Sequence, residues 1–134
     1  MWTWTLVRFV HLVGAGVWLG MQVTLAVLVP VLRRMLPAEQ VREIVRRAGD
    51  SLAITGGAAL VAVAASGAAL ARHEQSAAAH PGVIDLKEGL LVAIVVIAAG
   101  HAGARGTRAR IAASALMLLL TLAAILAGAW LAES

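Results

Sequence analysis

Arg8-Phe-Val-His11-Leu-Val-Gly14-Ala-Gly16-Val-Trp18-Leu-Gly20 places a histidine deep inside a long apolar run. A stretch of this character reads as the outer half of a membrane-spanning helix, and an ionisable ring there is expensive in hydrocarbon. Such a group faces the protein interior and has a partner. His11, Ala15, Trp18 and Gln22 recur at i, i+4, i+7 and i+11, so they share one stripe of a helix. The stripe is expected to point inward. Its plain structural use is a tryptophan that fills space and a histidine that bonds a neighbouring backbone carbonyl. Its chemical use is an imidazole presented to a cofactor or metal.

Working outward, the chain has 134 residues, 61% of them hydrophobic and only 13% charged. The mean hydropathy is +0.90. Soluble domains carry about twice that share of charge. Four apolar segments, near 4–32, 52–71, 86–103 and 111–131, are each long enough for a span, which takes about 20 residues. Helices are required, because hydrocarbon offers no partner to an unpaired backbone amide. The expectation is an all-α, integral membrane four-helix up-and-down bundle, forming one domain over 1–134. A cleaved secretory signal is not expected, since the first apolar run is too long for a signal core. The chain contains no cysteine, which excludes disulfides and thiolate chemistry. Its net charge of +4 comes from arginines clustered where membrane topology places them, so nucleic acid is not an expected partner.

Those arginines set an orientation. Arg33, Arg34, Arg42, Arg46 and Arg47 lie in the first connection, and Arg105, Arg108 and Arg110 in the third. The positive-inside rule makes both connections cytoplasmic and puts both termini outside the cell (inner) membrane, with Trp2, Trp4 and Trp130 at the outer interface. Pro37 opens a basic segment in which Val41, Ile44 and Val45 follow helical spacing, read as a short helix on the inner surface between spans one and two. Small residues crowd the second span (Gly56, Gly57, Ala58, Ala59, Ser66, Gly67), and Gly16 with Gly20 makes a small-xxx-small pair on the first. Such faces let helices approach closely, within the chain or in a homo-oligomer.

Depth separates the remaining polar groups. Counted along the helix rise from each span's midpoint, His11, Lys87 and His73 all fall to the outer side, whereas His101 falls to the inner side. Lys87 or His73 is therefore the better companion for His11, and Lys87 also reads as a lysine snorkelling to the surface. His73 and His80 flank a polar loop and read as solvated side chains or metal ligands. His101 reads as a core histidine, a proton relay or a ligand of a second site. No triad, phosphate loop or carboxylate pair is visible in the sequence.

His11, Trp18-Leu-Gly20 and Pro30-Val-Leu-Arg33-Arg34 together resemble the opening of the CopD-type copper resistance membrane domain, and are similar to the start of HemJ-type protoporphyrinogen oxidases. Ala53-Ile-Thr55-Gly56 and Ser66-Gly67 resemble CopD second helices. Leu86-Lys87-Glu-Gly, with His101 fourteen residues after Lys87, resembles the third helix of the HemJ group. The resemblance implies haem b from one side and copper from the other, with His11, Lys87 and His101 as functional residues. Gln22 and Thr24 depart from the usual pattern, as does the absence of a histidine just after the first helix.

Three functions follow as expectations. The first is a haem-b redox or electron-transfer protein of the membrane, or an oxidoreductase, serving a quinone or redox partner, with His11 as ligand and Lys87, His73, Trp18 and Gln22 around the cofactor. The second is a copper-binding or copper-uptake protein with His11, His73 and His80 on the outer side, His101 being a further candidate metal ligand beside His11 and His73. The third is a cofactor-free subunit of a larger membrane complex.

Overall fold

The structure, a computed structural model, describes the backbone of residues 2–73, 80–103 and 107–133, and the side-chain surroundings of 2–73, 80–100 and 108–130. The protein is all-α. Its helices are α1 (Trp2–Met35), α2 (Ala38–His73), α3 (Pro81–Gly103) and α4 (Thr107–Glu133), and no strand occurs among the described residues. Among the described residues, three helices are long and apolar enough to cross a membrane: α1, α2 and the Arg108–Trp130 stretch of α4. The third expected span is helical within Pro81–Gly103, with Asp85, Lys87 and Glu88 in its first turns.

The chain divides into two compact units, Met1–Gly67 and Ala68–Ser134, with the division inside α2. In the first unit α1 turns at Leu36–Pro37 and α2 returns against it. Leu36 N donates to Leu32 O (2.9 Å), and Val41 N donates to Pro37 O (3.2 Å), closing the turn from both sides. Three contacts set the antiparallel register: His11 with Val63 and Ser66, Gly14 with Ala59 and Val63, and Trp18 and Met21 with Gly56. Gly14 is buried because a β-carbon there would stand 2.9 Å from Val63 Cγ2 and 3.1 Å from the Ala59 carbonyl. Close approach of backbones is what holds helix pairs where lipid supplies no hydrophobic drive.

Two expectations change here. The basic segment is helical, but it is the beginning of α2 and not a separate surface helix. No proline interrupts 38–73, and the helix runs on through Gly49, Asp50 and Ser51. Its apolar side also turns inward, with Val41 buried at 4% exposure and Val45 half-buried. The Gly16–Gly20 pair is not the packing face of the first unit: both glycines are exposed and have open space where a β-carbon would stand. Two residues of helix turn about 200°, which puts Gly16 on the side away from Gly14.

The second unit is organised by α3 and α4, which pack along one another. Among its described residues, Ile94 on α3 and Met117 and Thr121 on α4 are buried, and Thr121 donates its hydroxyl to Met117 O at 2.8 Å. At one end His80 meets Trp130, and one helical stretch along Lys87 lies over Gly128.

Candidate functional site

His11 is half-buried on α1, and its Nδ1 lies 3.1 Å from the Val63 carbonyl and 3.1 Å from Ser66 Oγ. The partners decide the tautomer. The Val63 carbonyl only accepts, so the proton must be on Nδ1. Ser66 spends its own hydroxyl proton on carbonyls of its helix, donating to Ala62 O and toward Val63 O, and its oxygen therefore accepts from the histidine. Nδ1–H is shared between the two acceptors, so in the neutral form of the ring the lone pair belongs to Nε2. Ser66 is itself buried at 7% exposure. Its hydroxyl sits mid-helix because bonding back to the i−4 carbonyl satisfies it there.

Gly67 completes the seat. A β-carbon on it would lie 3.0 Å from His11 Cε1 and 3.4 Å from Nδ1. Only a residue without a side chain lets the imidazole edge rest on α2. A second seat is built the same way one helical stretch along, where Trp18 Cζ3 and Met21 Cε come within 3.0 and 2.8 Å of the corresponding point above Gly56. Of the stripe expected to face inward, His11, Ala15, Trp18 and Gln22 are all half-buried, while Leu12, Val13, Gly16, Val17 and Val23 are exposed. Trp18 packs on a glycine and fills space there. Gln22 has its amide oxygen shielded from solvent. Beside this stripe runs an open apolar groove of about 300 Å³, walled by Val10, Val13, Val17, Thr55, Ala58 and Ala62; His11 is not part of its lining.

The other expected residues fall in the second unit. His73 is exposed in the last turn of α2. Lys87 is half-buried on α3, its Nζ 3.4 Å from where a Gly128 β-carbon would stand. His80, expected to be solvated, is half-buried and meets Trp130 edge to face, with ring centroids 5.3 Å apart at 74°. Its carbonyl also accepts from Val83 N and Ile84 N, opening α3 just before Pro81. The backbone of His101 is in α3, and its side chain lies outside the described residues, as does Arg105. Among the described residues no three of His, Cys, Asp and Glu gather as a metal-binding group.

Sequence reasoning reached His11 through its depth. It did not reach Ser66 or Gly67 as the residues that hold it, because small residues on α2 all look alike until the register is known. Outside the spans, Glu43 accepts from Arg46 (2.9 and 2.8 Å) and from Arg47 (2.5 Å). Those bonds, first to Arg46 and then to Arg47, hold the Glu43 carboxyl below the usual glutamate range. Set against protein-family models, curated proteins and solved structures, the chain matches none.

Proposed function

We propose that this protein is a membrane-embedded haem-b redox or electron-transfer protein in which His11 is an axial ligand of the iron. The observation that carries the reading is the bifurcated bond from His11 Nδ1–H to Val63 O and Ser66 Oγ. A metal-ligating histidine characteristically donates its other ring N–H to a carbonyl, which sets the tautomer, fixes the ring and makes the ligating nitrogen more basic. His11 has that partner, and the tautomer puts the lone pair on Nε2. Haem also suits the donor set. It brings four nitrogens of its own and asks the protein for one or two axial ligands, whereas a bare copper ion takes several protein donors.

In this reading haem supplies one-electron chemistry, and the residues of the first unit supply its setting. Val63 and Ser66 hold the imidazole, Gly67 makes room for its edge, and the surrounding apolar surface limits water and so tunes the potential. We place the protein in the cell membrane with both termini outside, exchanging electrons with a quinone or a redox protein. The absorption spectrum of the purified protein tests this. A Soret band with sharp reduced α and β bands is expected, lost in His11→Ala and kept in His80→Ala. Haem fully retained by His11→Ala would overturn it.

The same hydrogen bonds favour one other reading, in which His11 is a polar clasp joining α1 to α2 and the protein is a cofactor-free subunit of a membrane complex. A protein that purifies without colour, and whose His11→Ala variant loses stability alone, belongs to that class.

A further inference from the structure

The register of the first hairpin has a consequence at its arginine-bearing end. His11 with Ser66, Gly14 with Ala59 and Val63, and Trp18 and Met21 with Gly56 set an antiparallel pairing whose residue numbers sum to about 76. Continued along the pair, it puts the charged part of α2 (Arg42, Glu43, Arg46, Arg47, Asp50) level with 26–34 of α1, which is apolar as far as Leu32. Both stretches cannot cross hydrocarbon at one depth, because the α2 stretch carries five charges that are exposed or half-exposed. The helices also have length to spare: the 34 residues of α1 rise about 51 Å, against a hydrocarbon core about 30 Å thick.

Level with this charged stretch and just before it, α1 nevertheless keeps an apolar face that α2 does not line. Val23, Thr24, Val27, Leu28 and Val31 line an open groove there, with Val27 at 63% exposure and Leu28 at 44%. Pro30 lies in this stretch, exposed. It has no N–H for the Ala26 carbonyl, a loss that is costly in hydrocarbon and slight where water reaches. Arg33 and Arg34 follow this face on α1, and Arg42, Arg46 and Arg47 stand level with it on α2, all exposed, against three carboxylates in 33–50. Glu43 is already engaged by Arg46 and Arg47.

We infer that this end of the hairpin lies obliquely in the headgroup layer of an anionic membrane surface, with the 23–31 face of α1 inserted and the arginines on lipid phosphate. The two helices contribute together: α1 provides the apolar side with Arg33 and Arg34 at its end, and the register sets Arg42, Arg46 and Arg47 of α2 level with it. Opposite charge selects an anionic surface, and arginine's planar fork suits phosphate. The inference is independent of any cofactor at His11.

The chain has no cysteine, so single introduced cysteines report without background. Spin labels at Val27→Cys and, separately, Val31→Cys are compared with Leu12→Cys, an exposed position within the span, in the full-length protein. Vesicles of phosphatidylcholine with about one-third phosphatidylglycerol are set against phosphatidylcholine alone. With the anionic lipid, labels at 27 and 31 should meet oxygen and avoid a water-soluble nickel chelate. Removing the anionic lipid, or replacing Arg42, Arg46 and Arg47 by Gln, should raise collisions with the chelate about tenfold, while the label at 12 is unchanged. Water exposure at 27 and 31 in both lipids overturns the proposal. Lipid exposure in both, unaffected by the arginine changes, overturns it too, and strong spin–spin broadening would assign the face to a second copy of the chain.

Discussion

The α1–α2 hairpin and the α3–α4 pair are both built from apolar helices, yet they are joined by different means. The first is closed by glycine seats and a buried polar bond: Gly14 against Ala59 and Val63, Gly56 under Trp18 and Met21, and His11 on Val63, Ser66 and Gly67. The second buries Ile94, Met117 and Thr121, keeps its one described buried hydroxyl within its own helix, and ends in a ring contact between His80 and Trp130. The difference teaches where specificity comes from in a lipid-facing chain. Apolar side chains pack nearly as well against lipid as against each other, so only close backbone contact or a hydrogen bond selects one register over its neighbours. The first hairpin has both devices and is the one with a candidate chemical group.

If that contrast is right, the largest effect belongs to Gly14→Ala. The added carbon meets Val63 Cγ2 at 2.9 Å and a backbone oxygen at 3.1 Å, so the helices must separate, at about 1–3 kcal/mol. Gly16→Ala, in open space, should change stability by no more than about 1 kcal/mol and in the stabilising direction. Reversible unfolding in mixed micelles measures both; equal costs for the two would dissolve the distinction between a seated and a free glycine.

His11→Ala comes next. It removes the shared bond and leaves Val63 O and Ser66 Oγ without that donor, at about 0.6–2 kcal/mol by the range for polar bonds between membrane helices. Gly67→Ala sharpens the result. Its added carbon at 3.0 Å from Cε1 displaces the ring, which can turn away, so stability should fall less than in His11→Ala. Nitrogen NMR of labelled His11 should then show the Nδ1-protonated signature of the parent protein weakened. An unchanged signature would mean that Gly67 does not hold the ring.

In the second pair, Trp130→Ala deletes an edge-to-face contact worth about 0.5–1.5 kcal/mol. Its fluorescence counterpart is easily read: with Trp2, Trp4 and Trp18 replaced by Phe, emission from Trp130 should respond to His80→Ala. No response would remove the ring contact from the account of that hairpin.

The smallest effect is at Glu43. Its folded carboxyl is held below the ordinary glutamate value by Arg46 and Arg47, so the contribution is present at pH above that ordinary value. It fades as pH falls through the lower, folded value. The group is exposed, so the slope is slight and weakens further with salt. An acid titration of stability should be a little flatter in Glu43→Gln than in the parent; steeper behaviour in the variant would contradict the sign.

Much was determined by the sequence alone, because hydrocarbon is a strict solvent. An apolar chain with no way to satisfy open backbone must be helical, and a histidine placed like His11 must find a partner. The all-helical class and the inward stripe of His11, Ala15, Trp18 and Gln22 were therefore legible in the sequence. Which alanines and glycines matter was not, since a β-carbon's cost depends on what stands opposite it, and that is a property of register. Only the tertiary structure separated Gly14 from Gly16, named Ser66 and Gly67 as the holders of His11, and ran the basic segment into α2 with Val41 facing inward. Pairing between two helices is set by contacts between residues some fifty positions apart, such as His11 with Val63 and Ser66, and no local pattern in either helix encodes them.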